Sequence, residues 1–302
     1  MLRKTRIADK IRNHDFLYQA AFYGYTFLPQ QMQFIKTYLI DRHFSKQYDF
    51  KSIRKYKNIH NGELCFVVGT APSLQMADLE LIKNYTAFSC NSIVLAFDKT
   101  DWRPSYYGVQ DRGVNKLRDK IMAHQNEFRD IFVGVTSAEE TPDIGCPAVN
   151  YILQRLDHSK RGIKHCYKAT SRADKYLYDG YSIVYSMLEL AIYMGFRDIV
   201  LLGVDCDYSS KNAHFIEYTK DRDQNASIKM YKAYECIRKF AESRGIRIRN
   251  ASRGWKLDVF ECVRLEEILQ NKREKDQNMS VCDTEYHNDS GISACKKGCF
   301  SG

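Results

Sequence analysis

Chemistry in this chain is most legible between residues 203 and 215. Gly203-Val204-Asp205-Cys206-Asp207-Tyr208 follows an apolar run, and Asn212-Ala213-His214-Phe215 comes shortly after. Asp205 and Asp207 form a D-x-D pair whose hard oxygen ligands suit Mg²⁺ or Mn²⁺ on a diphosphate. The same pair is also satisfied if Asp205 caps a turn and Asp207 is solvated. His214 has a side chain whose ordinary pKa lies close to working pH, so a neutral imidazole there can take a proton from an acceptor hydroxyl. A second group lies upstream, where Gly69-Thr70-Ala71-Pro72-Ser73 follows Leu64-Cys65-Phe66-Val67-Val68. Small residues at a strand-to-helix turn allow backbone N–H groups to approach a phosphate, and a following helix N-terminus favours negative charge. The loop is neither G-x-G-x-x-G nor a Walker loop.

These residues need a scaffold that brings strand ends together. Apolar runs at 64–68, 86–90, 106–109 and 131–135 end at Gly69, Asn91, Gln110-Asp111 and Thr136, with helical patterns between them. Strands alternating with helices predict an α/β fold with an open, mostly parallel Rossmann-like sheet flanked by helices. In such sheets ligands bind beyond the carboxyl ends of the strands. Ser182 is a good N-cap for a helix over 183–194 that is apolar almost all round and therefore buried. Gly195 is placed to end it. The strand 198–203 then delivers Asp205, and a helix over 227–244 leads to a last strand at 246–249.

The boundaries expected from composition are a helical, basic N-terminal extension over 1–60, a nucleotide-binding catalytic domain over 61–271 and a disordered polar tail over 272–302. In the extension Phe16, Leu17, Ala20, Ala21 and Tyr23 recur at rough helical spacing, and Arg3, Lys4, Arg6, Lys10 and Arg12 concentrate positive charge. It can pack on the main domain, the favoured reading, or lie on a membrane face. Cys282, His287, Cys295 and Cys299 in the tail have irregular spacing for a zinc site.

A net charge of +9 favours anionic partners such as nucleotides, phosphorylated lipids or a membrane surface. No RNP-type run or zinc-finger spacing points to nucleic acid. The ten cysteines include residues inside apolar runs, such as Cys65 and Cys90, where a free thiol behaves as a small hydrophobe. No apolar run reaches the ~18 residues of a membrane span, and no signal-peptide core follows Met1. The expected location is the cytoplasm, with the inner face of the membrane as a site of peripheral contact.

The stretches "CFVVGTAPSL", "CNS", "TDWRPSYYGVQD", "YDGYSIVYSMLELAIYMGFRDIVLLGVD", "AHF" and "IRIRNASRGWKLDVFECV", in that order over about 55–268, resemble the bacterial MptE-like (DUF115) proteins, often found among surface-polysaccharide genes. More distantly the chain is similar to the sialyltransferases of glycosyltransferase family 42, a GT-A-like variant. That resemblance implies a glycosyltransferase, inverting and without a required metal, moving a sugar from a CMP-linked donor such as a CMP-nonulosonate to a glycan or lipid-linked acceptor. It implies nucleotide contacts from Gly69, Thr70, Ala71, Ser73, Asn91, Gln110 and Asp111, with Ser182 and Asp205 supporting the site, Tyr208 at the phosphate and His214 as base. Three departures bear on the donor: Thr70-Ala71 replaces the family's Asn-Gly or Gly-Gly, Gln110 replaces an Asn, and Asp207 is an added charge. The archaeal proteins that named the domain imply a different enzyme, an ATP- and Mg²⁺-dependent pyrophosphokinase acting on a pterin alcohol. A nucleotide-binding protein without catalysis is a third reading.

Overall fold

The computed structural model describes residues 14–44, 48–136, 140–156, 167–206, 226–274 and 277. His214, Asp207, Tyr208 and the tail cysteines lie outside the described residues, and so do the roles expected of them.

Four apolar runs become strands β1 (Leu64–Val68), β2 (Ala87–Cys90), β3 (Tyr106–Val109) and β4 (Asp130–Val135). The strands expected at 198–203 and 246–249 form β7 (Asp198–Leu202) and β8 (Arg247–Asn250), and the structure adds β5 (Val149–Gln154), β6 (Leu177–Tyr178) and β9 (Glu261–Cys262). Among the described residues they form one sheet in the order β6-β5-β4-β3-β2-β1-β7-β8-β9. Every neighbouring pair is parallel, with Phe66 opposite both Ala87 and Val200 at the centre. Parallel strands covered on both faces read as continuous apolar runs, and β1, β2 and β7 are buried almost throughout. The fold is an open α/β sheet of Rossmann-like type. Its order reverses between β1 and β7: successive strands run outward on one side from β1 to β6, then resume on the other with β7.

Helices α1 (Asp15–Phe22) and α2 (Leu28–Phe44) precede the sheet, joined by a π-helical turn over Tyr23–Phe27. The short helices α3 (Met76–Leu81) and α4 (Arg118–Ala123) follow β1 and β3. The long α5 (Ile183–Met194) lies between β6 and β7, and α6 (Ala226–Glu242) between β7 and β8. A separate unit, Val263–Gly302, is described mainly by a helix over 265–274. No helix among the described residues is long and apolar enough to cross a membrane.

The expected extension differs from its sequence reading in which residues face inward. Phe16 and Leu17 are exposed, whereas Tyr18 and Phe34 are buried, and Phe34 meets Phe50 with ring centroids 5.4 Å apart. A one-residue shift in helical phase moves the inward face by about 100°, so a short run of alternating Phe, Leu, Tyr and Ala cannot fix it. Ile53 and Tyr56, just before residue 60, belong to the main core.

All twelve residues of α5 are buried, as the sequence pattern requires. The helix packs on β1, β2 and β3. Gly108 permits its close approach, since a Cβ there would sit 2.5 Å from Met187 Sδ. Gly195 ends the helix in the left-handed region at φ 99°. Burial includes Glu189, which is fully enclosed and accepts hydrogen bonds from Thr170 N (2.7 Å) and Tyr178 N (2.6 Å). These bonds tie the chain entering α5 to the helix itself.

Burial raises the Glu189 carboxyl well above the usual carboxylate range, against the lowering effect of those two backbone donors. A raised folded-state pKa contributes stability that is complete below the unfolded value and is lost as pH rises through the folded one. Glu189→Gln replaces one acceptor with an NH₂ group facing a backbone N–H, so it is expected to cost about 1–3 kcal/mol. Denaturant unfolding should show the widest gap between wild type and variant near about pH 4, narrowing towards neutrality. A gap that widens with pH would contradict a neutral Glu189 acid.

Candidate functional site

The switch between β1 and β7 is closed by backbone contact. Gly69 N donates to Leu202 O (2.8 Å) and Ala71 N to Gly203 O (2.9 Å). A Cβ on Gly69 would overlap the Gly203 carbonyl oxygen, and Gly203 itself sits at φ 63°, where a Cβ would meet Leu74 Cβ at 2.9 Å. Both glycines are therefore demanded by the approach of the two strand ends. One chemical consequence is direct: the Gly69 and Ala71 N–H groups are already occupied.

Asp205 completes the closure. Its side chain is buried, one carboxylate oxygen accepts from the Ser73 hydroxyl, and the other accepts from Ser73 N at 3.3 Å. From the other side Ser252 Oγ accepts from Val204 N (3.0 Å), Asn250 Oδ1 accepts from Ser252 N (2.9 Å), and Asn250 Nδ2 donates to Leu257 O (2.8 Å). Arg253 forks onto the buried Asp78 near the start of α3, with Nη2 2.6 Å from Oδ1. The segment Asn250–Arg253 thus fixes where the β7 end lies. Sequence reasoning gave these residues no role. Their signal was a cluster of short polar side chains at the carboxyl end of a strand.

A cleft with about 530 Å³ of empty space, part of it open to solvent, lies above this closure. Gly69, Thr70 and Ala71 form one edge, Cys90 and Asn91 another, and Gly203 to Cys206 a third. The first turn of α5 enters through Ser182, Ile183 and Val184, and Met230 and Tyr234 of α6 supply an apolar wall. Ser182 Oγ accepts from Val184 N (3.3 Å), which caps the helix as expected. The positive end of a twelve-residue buried helix therefore faces the cleft, where it favours an anion.

Asn91 is the unusual residue of the set. Its backbone is left-handed at φ 49°, its carbonyl accepts from Tyr107 OH (2.5 Å), and its side-chain Oδ1 is buried with no hydrogen-bond partner. An unsatisfied buried carbonyl oxygen at the rim of a cleft is an acceptor ready for a ligand's donor. Strained backbone of this kind persists only where its surroundings impose it.

The cleft thus gathers Gly69, Thr70, Ala71, Asn91, Ser182 and Asp205, with Ser73 behind it as the partner of Asp205. Gln110 and Asp111 are used elsewhere. Gln110 Oε1 accepts from Ser186 Oγ (2.8 Å), and Asp111 Oδ1 accepts from Gly113 N (2.8 Å) to cap the turn that follows. Cys90 and Cys206 are neutral thiols, for burial pushes Cys90 up to about 12 and raises Cys206 further, so neither offers a thiolate nucleophile. No cluster of three or more His, Cys, Asp or Glu side chains arranged for a metal occurs among the described residues. Asp205 could give a metal only the lone pairs that Ser73 leaves free.

Residues 41–211 match the family described as 6-hydroxymethylpterin diphosphokinase MptE-like, a span that includes the β1 loop, Asn91, α5 and Asp205. The chain belongs to the MptE-like family. Within that MptE-like span the cleft residues come from three strand ends and one helix. A search of the curated proteins gives no match. Among solved structures the MAf glycosyltransferase from Magnetospirillum magneticum AMB-1 is similar, at 17% identity and a TM-score of 0.41. The match covers 71% of this chain and 37% of that one, so the MptE-like chain spans little more than a third of that protein's length.

Asn91→Gly tests the free acceptor. Glycine adopts the left-handed region without strain, and the Tyr107 bond to the backbone carbonyl survives, so stability should stay within about 1 kcal/mol of wild type. The stabilisation by whichever nucleotide binds wild type should fall at least about tenfold in apparent affinity. Unchanged binding would show that the buried oxygen has no ligand role.

Proposed function

We propose that this protein is a glycosyltransferase whose nucleotide-activated donor sits in the cleft at the β1–β7 switch. The observation that carries the reading is the meeting of the α5 N-terminus with the unpartnered Asn91 oxygen in one cleft. A diphosphate or monophosphate ester is the ligand class that such a helix end favours, and a nucleoside supplies donors for Asn91. The leaving group is then held as an anion in the field of α5. Cleft chemistry without a thiolate is also consistent with direct displacement rather than a cysteine-linked intermediate.

In this reading the acceptor hydroxyl loses its proton to His214 and attacks the anomeric carbon. The bond from that carbon to the nucleotide phosphate oxygen breaks with inversion, and the nucleotide departs. A CMP-linked donor, with CMP as leaving group, is the specific form suggested by the sialyltransferase-like motifs. Asp205, tied to Ser73, orders the β1 loop under the donor in this scheme.

The family match favours a second reading, diphosphate transfer from ATP to a hydroxymethylated pterin. That chemistry uses Mg²⁺, for which Asp205 and Asp207 are the acidic pair that the sequence places after β7.

A thermal-shift series with CMP, CDP, UDP, GDP, ADP and ATP, each with and without Mg²⁺ or Mn²⁺, separates the two. A ligand at 100 times its Kd stabilises the native state by about 2.7 kcal/mol. Metal-independent stabilisation by CMP is the expected result, and a response confined to ATP with metal would replace the glycosyltransferase with the diphosphokinase. His214→Ala should then abolish transfer while leaving nucleotide stabilisation nearly intact; equal loss of both would remove His214 as base.

A further inference from the structure

The N-terminal helices carry a second surface that the cleft does not use. Tyr25, Leu28, Met32, Ile35 and Leu39 recur every three or four residues, and all are exposed, from 53% for Ile35 to 90% for Tyr25. Phe16 and Leu17 of α1 are exposed as well. An adjoining side is where the helices are held: Phe34 and Tyr38 pack on Phe50, Tyr18 on Phe27, and Lys168 Nζ lies 4.7 Å from the Tyr23 ring centroid. The stretch 15–44 is therefore apolar on two sides and covered on one. Single exposed apolar residues need no explanation, but a stripe of four along one face of α2, preceded by exposed Tyr25 in the turn, marks a contact.

Charge identifies what the stripe meets. Residues 1–60 contain twelve Lys and Arg against four Asp and no Glu, a net +8 of the chain's +9. Lys36, Lys51, Arg54, Lys55 and Lys57 are exposed near the stripe in sequence. A self-pairing seam would set this charge against itself, and two heptads are short of the three or four a coiled coil needs. An anionic bilayer surface satisfies both features, since apolar side chains enter the headgroup boundary while basic ones meet lipid phosphates. We propose that α1 and α2 dock this protein peripherally on an anionic membrane, with Leu28, Met32, Ile35 and Leu39 inserted and the surrounding lysines and arginines on the headgroups.

The test is flotation of the full chain with unilamellar vesicles of phosphatidylcholine alone or of phosphatidylcholine and phosphatidylglycerol at about 7:3, a composition that sets a negative surface potential. Wild type should float with the anionic vesicles, not the neutral ones, and release as salt is raised. Met32→Ser with Ile35→Ser keeps every charge and alters only exposed positions, and should weaken flotation at least about tenfold. Unchanged nucleotide-induced or intrinsic thermal unfolding confirms that the variant is folded. No flotation of wild type, or equal flotation of the variant, overturns the proposal. So does light scattering that finds a wild-type dimer and a variant monomer without vesicle binding, because the stripe is then a self-contact.

Discussion

The two carboxyl ends at β1 and β7 must touch, and the site follows from that contact. In an open parallel sheet the switch in strand order leaves a crevice, because the chain departs from adjacent strands in opposite directions. Here the crevice floor is closed by backbone bonds from Gly69 and Ala71 to the end of β7, and by the Asp205–Ser73 tie. Neither Gly69 nor Gly203 tolerates a side chain. The floor thereby loses two N–H groups that a phosphate-binding loop would offer. The positive end of α5 borders the cleft instead, and its place depends on Gly108 beneath it and on Glu189 within it.

This division explains why a loop that matches neither familiar phosphate-binding pattern can still border such a cleft. In the G-x-G-x-x-G arrangement the glycines bring backbone against a pyrophosphate. In this chain the first glycine brings backbone against backbone, and Thr70 and Ala71 stand above it at the cleft edge. A side chain at 70 or 71 therefore adds to the wall of the cleft rather than breaking its floor.

Much of this was legible in the residues for a physical reason: fully buried parallel strands and an all-round apolar helix leave uninterrupted hydrophobic runs. Those runs placed β1 to β4, α5 and β7, and they placed Asn91, Ser182 and Asp205 at the correct ends. What they could not place depends on contacts distant in sequence. β6 and β9 are two residues each and carry no period. Gln110 and Asp111 stand at a strand end like Asn91, yet their side chains turn to Ser186 and Gly113, a matter of side-chain direction that strand position leaves open. Glu189 was hidden in the opposite way, as one acid inside a helix whose burial calls for none, because its partners are backbone groups at 170 and 178.

Net charge was the feature easiest to read, but the total does not show where along the chain the charge lies. The total is +9, but the first 60 residues account for +8 of it, leaving +1 for the other 242. The domain that carries the cleft, with the residues after it, is nearly balanced, so the field at the cleft comes from the oriented dipole of α5 and not from excess charge. A helix terminus acts within about one turn, while a field of lysines acts over a Debye length of roughly 8–10 Å. Long-range attraction for anions is thus concentrated in the segment with the exposed apolar stripe, and the oriented helix dipole lies at the switch point. The two fields are separated in sequence and rest on different physics, so salt screens the first much more than the second.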